Sequence, residues 1–219
     1  MRGGNLKPLI MKIILLASCF CLLGMTAETI VHGSDTYISI SGSDCSDSPV
    51  SNPKDSIHLD CQTYYQTTNY TCGPAAVMTL LRFYGKLSAA QMNPKTELRI
   101  ALEMGATETG TNQSQMSAWL QDHGFTINSG SRVESGLIIK NLKQNMPTII
   151  TVNRHWILAE GMEKATTPGN DVILFSDSCC GISKLSAAAI DSLWQTAELE
   201  KLHNNNCIPE GEYITATPK

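Results

Sequence analysis

Four residues stand out for their chemistry: Cys72, His155, Asp177 and Gln66. Cys72 lies in Asn69-Tyr70-Thr71-Cys72-Gly73-Pro74-Ala75-Ala76, where a helical run begins. Proline is tolerated in a first helical turn because its missing N–H would be unpaired there anyway. A thiol at that end faces the positive pole of the helix dipole, which favours thiolate over thiol. That environment suits a nucleophile. A disulfide is the commoner fate of a cysteine in an exported protein, and position alone leaves both readings open. His155 opens the apolar run His155-Trp156-Ile157-Leu158-Ala159, and a single histidine at a strand end is ordinarily structural. His32, His58, His123 and His203 fall in polar, helix-end or terminal segments, so His155 is the best placed for a rigid site. Asp177 follows the apolar residues 172–175 and could orient an imidazole; alone it is a loop aspartate. Gln66, six residues before Cys72, is by default a surface glutamine.

The elements that must position these residues come in two blocks. From Cys72 to Tyr84 the apolar residues Ala76, Val77, Leu80, Leu81 and Tyr84 recur at helical spacing, and Gly85 stops the run. A second helix is expected over Thr96–Met104 after Pro94. A third is capped by Thr111 or Asn112 and ends at Gly124, and a fourth is capped by Ser135 and ends before Pro147. The pattern then changes to short β-branched and apolar runs, 148–153, 155–161 and 171–176, which read as strands of a buried sheet. Pro168-Gly169 suits a hairpin connection between the last two. Ser186–Leu202 reads as a last helix, and Tyr213–Thr217 as an edge strand. Helices first and strands second place the chain in the α+β class.

Composition narrows the function. A chain of 219 residues suits one domain with a substantial core. Its 16 Lys and Arg against 20 Asp and Glu provide no cationic surplus for phosphates, so a nucleic-acid partner is not expected. Neither a GxxxxGK[ST] loop nor GxGxxG occurs, which leaves nucleotide-driven chemistry unsupported. Arg2, Lys7 and Lys12 precede or flank an apolar stretch, Ile13 to Met25, followed by Thr26-Ala27, the form of a secretory signal peptide. Leu16-Ala17-Ser18-Cys19 offers a competing lipoprotein signal, with an uncleaved anchor as a third reading. Residues 1–27 therefore read as the signal, 28–60 as a polar arm and 61–219 as the domain. Removing the signal takes the formal charge from −4 to −7, since it holds three cations and no carboxylate. The expected location is periplasmic or extracellular, with a membrane contacted only through an N-terminal lipid or signal anchor. Cys45, Cys61, Cys72, Cys179, Cys180 and Cys207 remain. Adjacent cysteines with His203 lack the CxxC or HxxxH spacing of a metal site, so neither metal nor cofactor is expected.

In combination the residues say more. Gln66, five residues, then Cys72-Gly73-Pro74-Ala75; a helix ending in Tyr84-Gly85; Gly110-Thr111 ahead of a helix; Met146-Pro147-Thr148-Ile149-Ile150; His155-Trp156; and Asp177 follow in order. Gly181, Leu185-Ser186 and Trp194 extend the pattern. This resembles the bacteriocin-processing cysteine peptidases, papain-like domains that remove double-glycine leader peptides. The resemblance covers roughly residues 61–196.

It implies a papain-like fold with N-terminal helices packed on a mainly antiparallel sheet. It implies Cys72 as nucleophile, His155 as general base and Asp177 as the group that fixes the imidazole. Gln66 would donate to the oxyanion together with the Cys72 N–H. The expected function is an exported cysteine peptidase that cleaves a peptide or protein through a thioester. An amidase, transglutaminase-like or isopeptidase effector would use the same logic, and a non-catalytic peptide-binding module is the third reading. The family commonly has Pro after the Asp, where this chain has Ser178. Its members typically precede a transporter, for which 219 residues leave no room, and an exported domain cannot process leaders inside the cell. With Cys72 free, five cysteines remain, and bridges Cys45–Cys61 and Cys207 to Cys179 or Cys180 are expected.

Overall fold

The computed structural model describes residues 26–32 and 35–41 as backbone, and residues 56–166, 169–192 and 211–219 in full. The chain divides into two compact units, Met1–Pro49 and Val50–Lys219. In the first, strands β1 (Thr26–His32) and β2 (Asp35–Ser41) pair antiparallel from Thr26↔Ser41 to His32↔Asp35. Part of the segment read as a polar arm is thus a hairpin. Its Thr29-Ile30-Val31 and Thr36, Ile38 and Ile40 favour extended backbone over coil. The rest of the expected signal, with Cys19, and also Cys45, His203, Cys207 and Trp194 lie outside the described residues.

The second unit begins with β3 (Ile57–His58), which pairs with a central strand, so it starts before the expected boundary at 61. Three helices follow: α1 (Cys72–Phe83), α2 (Pro94–Glu103) and α3 (Gln113–Asp122). Their starts obey local chemistry. Asn93 accepts from the Thr96 N–H ahead of Pro94 at the first helical position, and Asn112 forms a capping box with Gln115. A strand not foreseen from the sequence, β4 (Phe125–Gly130), leads to α4 (Ser135–Leu142). Glu134, not Ser135, occupies the cap position of α4. Ser135 is the first helical residue, and its N–H and hydroxyl both donate to Asp191 at 2.8 Å.

Then come β5 (Thr148–Val152), β6 (His155–Glu163), β7 (Val172–Asp177), β8 (Gly181–Ser186) and β9 (Tyr213–Pro218). Residues 187–192 are helical, the described start of the expected last helix. The sheet order is β4-β9-β5-β6-β7-β8, with β3 added on β6, and every pairing is antiparallel. The chain is α+β, as expected from its order of elements. Tyr213–Thr217 is not an edge strand: β9 lies between β4 and β5, and the partner that makes it interior is the unforeseen β4.

Both faces of the sheet are covered. Ile149, Trp156, Leu158 and Ile214 join the core under α1, α2 and α3, whereas Ile150, Ile157, Ala159, Ile173 and Phe175 join a second core with Ile138 and Leu142 of α4. Alternate residues of β5 and β6 therefore serve opposite cores, and the strands read as unbroken apolar runs. Helix α1 is the most enclosed, buried from Cys72 to Leu81. Among the described residues, no helix is long and apolar enough to cross a membrane.

Two sites of close geometry aim the chemistry-bearing ends. A Cβ on Gly73 would meet Thr111 Oγ1 at 2.1 Å and Trp156 Cδ1 at 3.3 Å, so only glycine lets the start of α1 seat against β6. The turn from β5 into β6 uses Asn153 and Arg154, at φ 50° and 62°, between the paired residues Val152 and His155. Two left-handed residues match the strand twist of a tight hairpin, but Arg154 lacks the conformational freedom of glycine there. Arg154→Gly is expected to stabilise the protein by about 0.5–1 kcal/mol, after the entropy gained by the unfolded chain. Thermal unfolding of the variant checks this.

Candidate active site

Cys72 and His155 meet where the start of α1 faces the start of β6. Cys72 is 8% exposed, and its thiol hydrogen-bonds the His155 imidazole while the backbone N–H groups of Trp156 and Gly73 donate to the sulfur. Asp177 ends β7, the antiparallel neighbour of β6, so its side chain arrives at the end of the sheet from which His155 departs. His155 Nε2 lies 2.9 Å from Asp177 Oδ1. An ionised carboxylate only accepts, so Nε2–H is the donor, which leaves Nδ1 for the thiol. Asp177 is itself fixed: its Oδ1 also accepts from the Cys179 N–H at 2.8 Å, and the Cys180 N–H adds a further bond.

The electrostatics of the three groups are coupled. Burial pushes the Cys72 thiol up, but the His155 hydrogen bond, the two backbone donors and the imidazole's charge together bring it below the ordinary thiol value. For His155 burial acts downward, yet hydrogen bonds and charge from Asp177 and Cys72 raise it to about 9. Burial opposes ionisation of Asp177, and the bonds from His155, Cys179 and Cys180 outweigh it, leaving the carboxyl below its usual range. A thiolate–imidazolium pair backed by a carboxylate satisfies all three shifts. The other described cysteines behave oppositely. Burial, with Glu160 and Asp60 nearby, pushes Cys61 up to about 12, and burial with the Asp177 charge raises Cys179 and Cys180.

Gln66 is held beside this triad by three polar contacts. Its backbone N–H donates to Ser178 O at 3.1 Å, its Oε1 accepts from Ser178 Oγ at 2.7 Å, and its Nε2 donates to Thr68 O at 2.6 Å. Thr68 in turn shares a 2.8 Å hydrogen bond with Thr71, the residue before Cys72. With the carbonyl oxygen tied to Ser178, the amide presents its nitrogen, and one of its two N–H groups remains for a ligand.

The structure also supplies supports that the sequence did not signal. Glu97 is fully buried in the first turn of α2, where it accepts from Tyr64 Oη at 3.0 Å, the Thr67 N–H at 3.0 Å and Thr67 Oγ1 at 2.5 Å. A glutamate at that point of a helix reads as a solvated, dipole-favoured residue; only the fold turns it onto the loop that carries Gln66. Trp156 Nε1 donates to Thr111 O at 2.9 Å, locking the residue after His155 to the segment before α3. Cys61, Cys72, Cys179 and Cys180 carry free thiols, in place of the expected bridges from Cys61, Cys179 and Cys180. The expected partners Cys45 and Cys207 lie outside the described residues.

A helix-borne thiol against a histidine and an aspartate on an antiparallel sheet defines a papain-like cysteine peptidase. Residues 60–205 match the Peptidase C39 family, and the chain belongs to it. Solved structures share the fold at low identity. A double glycine motif protease from an AMS/PCAT transporter, in complex with the leader peptide, matches with a TM-score of 0.50 at 16% identity, covering 74% of this chain and 94% of its own. The peptidase domain of Streptococcus ComA, a bi-functional ABC transporter involved in a quorum sensing pathway, gives 0.50 at 14% identity over 73% and 99%. A C39-like peptidase from Bacillus anthracis gives 0.52 at 8% identity over 75% and 98%. No curated protein matches the sequence.

Two outcomes follow from this geometry. Alkylation of Cys72 by iodoacetamide should persist well below the ~8.5 of a free thiol, because its own shift is downward and His155 stays protonated up to about 9. Asp177→Asn should lower the pH up to which His155 stays protonated and so move the alkylation profile toward that of an ordinary thiol; rates measured by mass spectrometry across pH decide it, and an ordinary thiol titration in the parent would exclude the ion pair. Glu97→Ala leaves the buried Tyr64 hydroxyl and the more exposed Thr67 donors without their acceptor and should cost about 1–3 kcal/mol of stability, read from urea unfolding.

Proposed function

We propose that the chain is an exported cysteine peptidase that cleaves a peptide or protein substrate through a thioester on Cys72. The observation that carries this is the hydrogen-bonded chain from Cys72 through His155 to Asp177, in which the thiol is shifted down and the imidazole up. In the first step Cys72 Sγ attacks the scissile carbonyl carbon, and the C=O π electrons move onto oxygen. The Cys72 backbone N–H, among the donors left unpaired at a helix start, and Gln66 Nε2–H receive that oxyanion. As the tetrahedral adduct collapses, the C–N bond breaks and His155 Nδ1–H protonates the departing amine. Neutral His155 then takes a proton from water, whose oxygen attacks the thioester. The second adduct collapses with release of the acid and recovery of the ion pair. Asp177 keeps the imidazole in the orientation that serves both proton transfers.

Support for a peptide substrate comes from the family and from the solved relative held in complex with a leader peptide. Export rests on the N-terminal pattern of basic residues, apolar stretch and Thr26-Ala27. Double-glycine specificity is not carried over, because the solved relatives share no more than 16% identity with this chain.

Incubation with a proteome-derived peptide library, comparing parent with Cys72→Ala and His155→Ala, tests the proposal. New N-termini should appear with the parent alone, and each substitution should lower turnover by on the order of 10⁴. Cleavage unchanged in both variants would end the assignment. Ser178→Ala should release the Gln66 amide and reduce kcat by about tenfold with KM little altered, a smaller loss than the ~10²–10³ of removing an oxyanion donor outright. A change confined to KM would place Ser178 in substrate binding instead.

A further inference from the structure

One cluster joins the triad to a residue that the mechanism does not use. A nitrogen of His155, a carboxylate oxygen of Asp177 and the Cys179 sulfur all lie within 4.8 Å of one another. They come from the first residue of β6, the last residue of β7 and the turn into β8. That turn holds Cys179 in place, since its N–H is bound to Asp177 Oδ1 at 2.8 Å. Thiolate, imidazole and carboxylate are the three ligand types of zinc, and three protein ligands leave the fourth position open.

The dimensions are close to those of a bound ion. For three atoms no more than 4.8 Å apart there is always a point within about 2.8 Å of all of them, against about 2.0–2.3 Å for zinc bonds. Cys179 is exposed, so rotation of its side chain can close the remaining few tenths of an ångström. From these observations we propose that His155, Asp177 and Cys179 form a reversible binding site for a borderline-soft divalent cation such as Zn²⁺, which switches the peptidase off.

The proton balance explains the inhibition. Cation binding at Nε2 displaces the proton that His155 donates to Asp177, and binding at Cys179 displaces the thiol proton, so two protons are released for each ion bound. The imidazole keeps Nδ1–H facing Cys72 but is no longer an imidazolium that can give up a proton and take one back. Proton transfer to the leaving amine and from water is therefore lost. Because protons compete with the ion, inhibition strengthens as pH rises. The spacing of ligands in the sequence gave no sign of this site, since two of the three lie 22 residues apart and meet through strand pairing.

The site itself does not depend on peptidase activity; the inhibitory consequence rests on the function proposed above. The test therefore has two readouts on the full chain. Titration with Co²⁺ should give a thiolate-to-cobalt charge-transfer band in the parent, in Cys72→Ala and in Cys180→Ser, displaced by Zn²⁺ in each, and no band in Cys179→Ser. In the peptide assay, Zn²⁺ should inhibit the parent, be reversed by chelator, and require at least tenfold more metal in Cys179→Ser. A band that survives in Cys179→Ser or disappears in Cys72→Ala would overturn the site, whatever the activity. Equal inhibition of parent and Cys179→Ser would overturn the switch.

Discussion

A buried sulfur carries negative charge only where something compensates for its lost hydration, and much of this structure is arranged around that requirement. Cys72 is enclosed at the start of a helix whose first ten residues are all buried. The helix dipole and two backbone N–H groups supply part of the compensation, but the decisive partner is the imidazole of His155. That partner must itself stay charged in a partly buried position, which brings in Asp177, and Asp177 is held in turn by the N–H groups of the turn that follows it. Each group would be pushed toward neutrality alone. Together they sustain a thiolate at a pH where an isolated thiol is protonated.

This chain of dependence fixes tolerances elsewhere. The start of α1 must sit close enough to β6 for sulfur and imidazole to meet, and Gly73 permits that approach against Thr111 and Trp156. The β5–β6 turn accepts a left-handed Arg154 so that His155 begins its strand at the right point. On the opposite side the loop bearing Gln66 is tied to the end of β7 through Ser178 and to α2 through Glu97. Ser178 stands where the family resemblance implies a proline. Its hydroxyl gives this chain a direct hydrogen bond from the aspartate segment to Gln66, a link that proline, with no donor, would not make.

The helices and the central strands were legible because they rest on local rules, and the four candidate site residues because their order matches the family resemblance. Periodicity marks α1, Pro94 marks the start of α2, a capping residue marks α3, and two-sided burial makes β5, β6 and β7 read as apolar runs. What local rules do not contain was missed. Phe125–Gly130 has one buried aromatic and a half-buried Ile127 among polar and small residues, and it is a strand only because β9 pairs with it. The same omission made β9 look like an edge. Glu97 looks like a solvated helix residue until the 64–67 loop is folded over it.

By itself the sequence determined the fold class, because periodicity and short-range spacing are written along the chain, and it carried the family resemblance that implies Gln66, Cys72, His155 and Asp177 as the candidate site. The tertiary structure decided which groups share charge and protons. Nothing in the spacing of Cys72, His155 and Asp177 says that Nε2 meets the carboxylate, that Ser178 turns the amide of Gln66, or that Cys179 reaches the same imidazole. Those relations depend on distances of a few ångströms between segments tens of residues apart. Hydrogen bonds and ion pairs act at that range, and only the packing of α1 against the sheet and the pairing of β6 with β7 bring the segments within it.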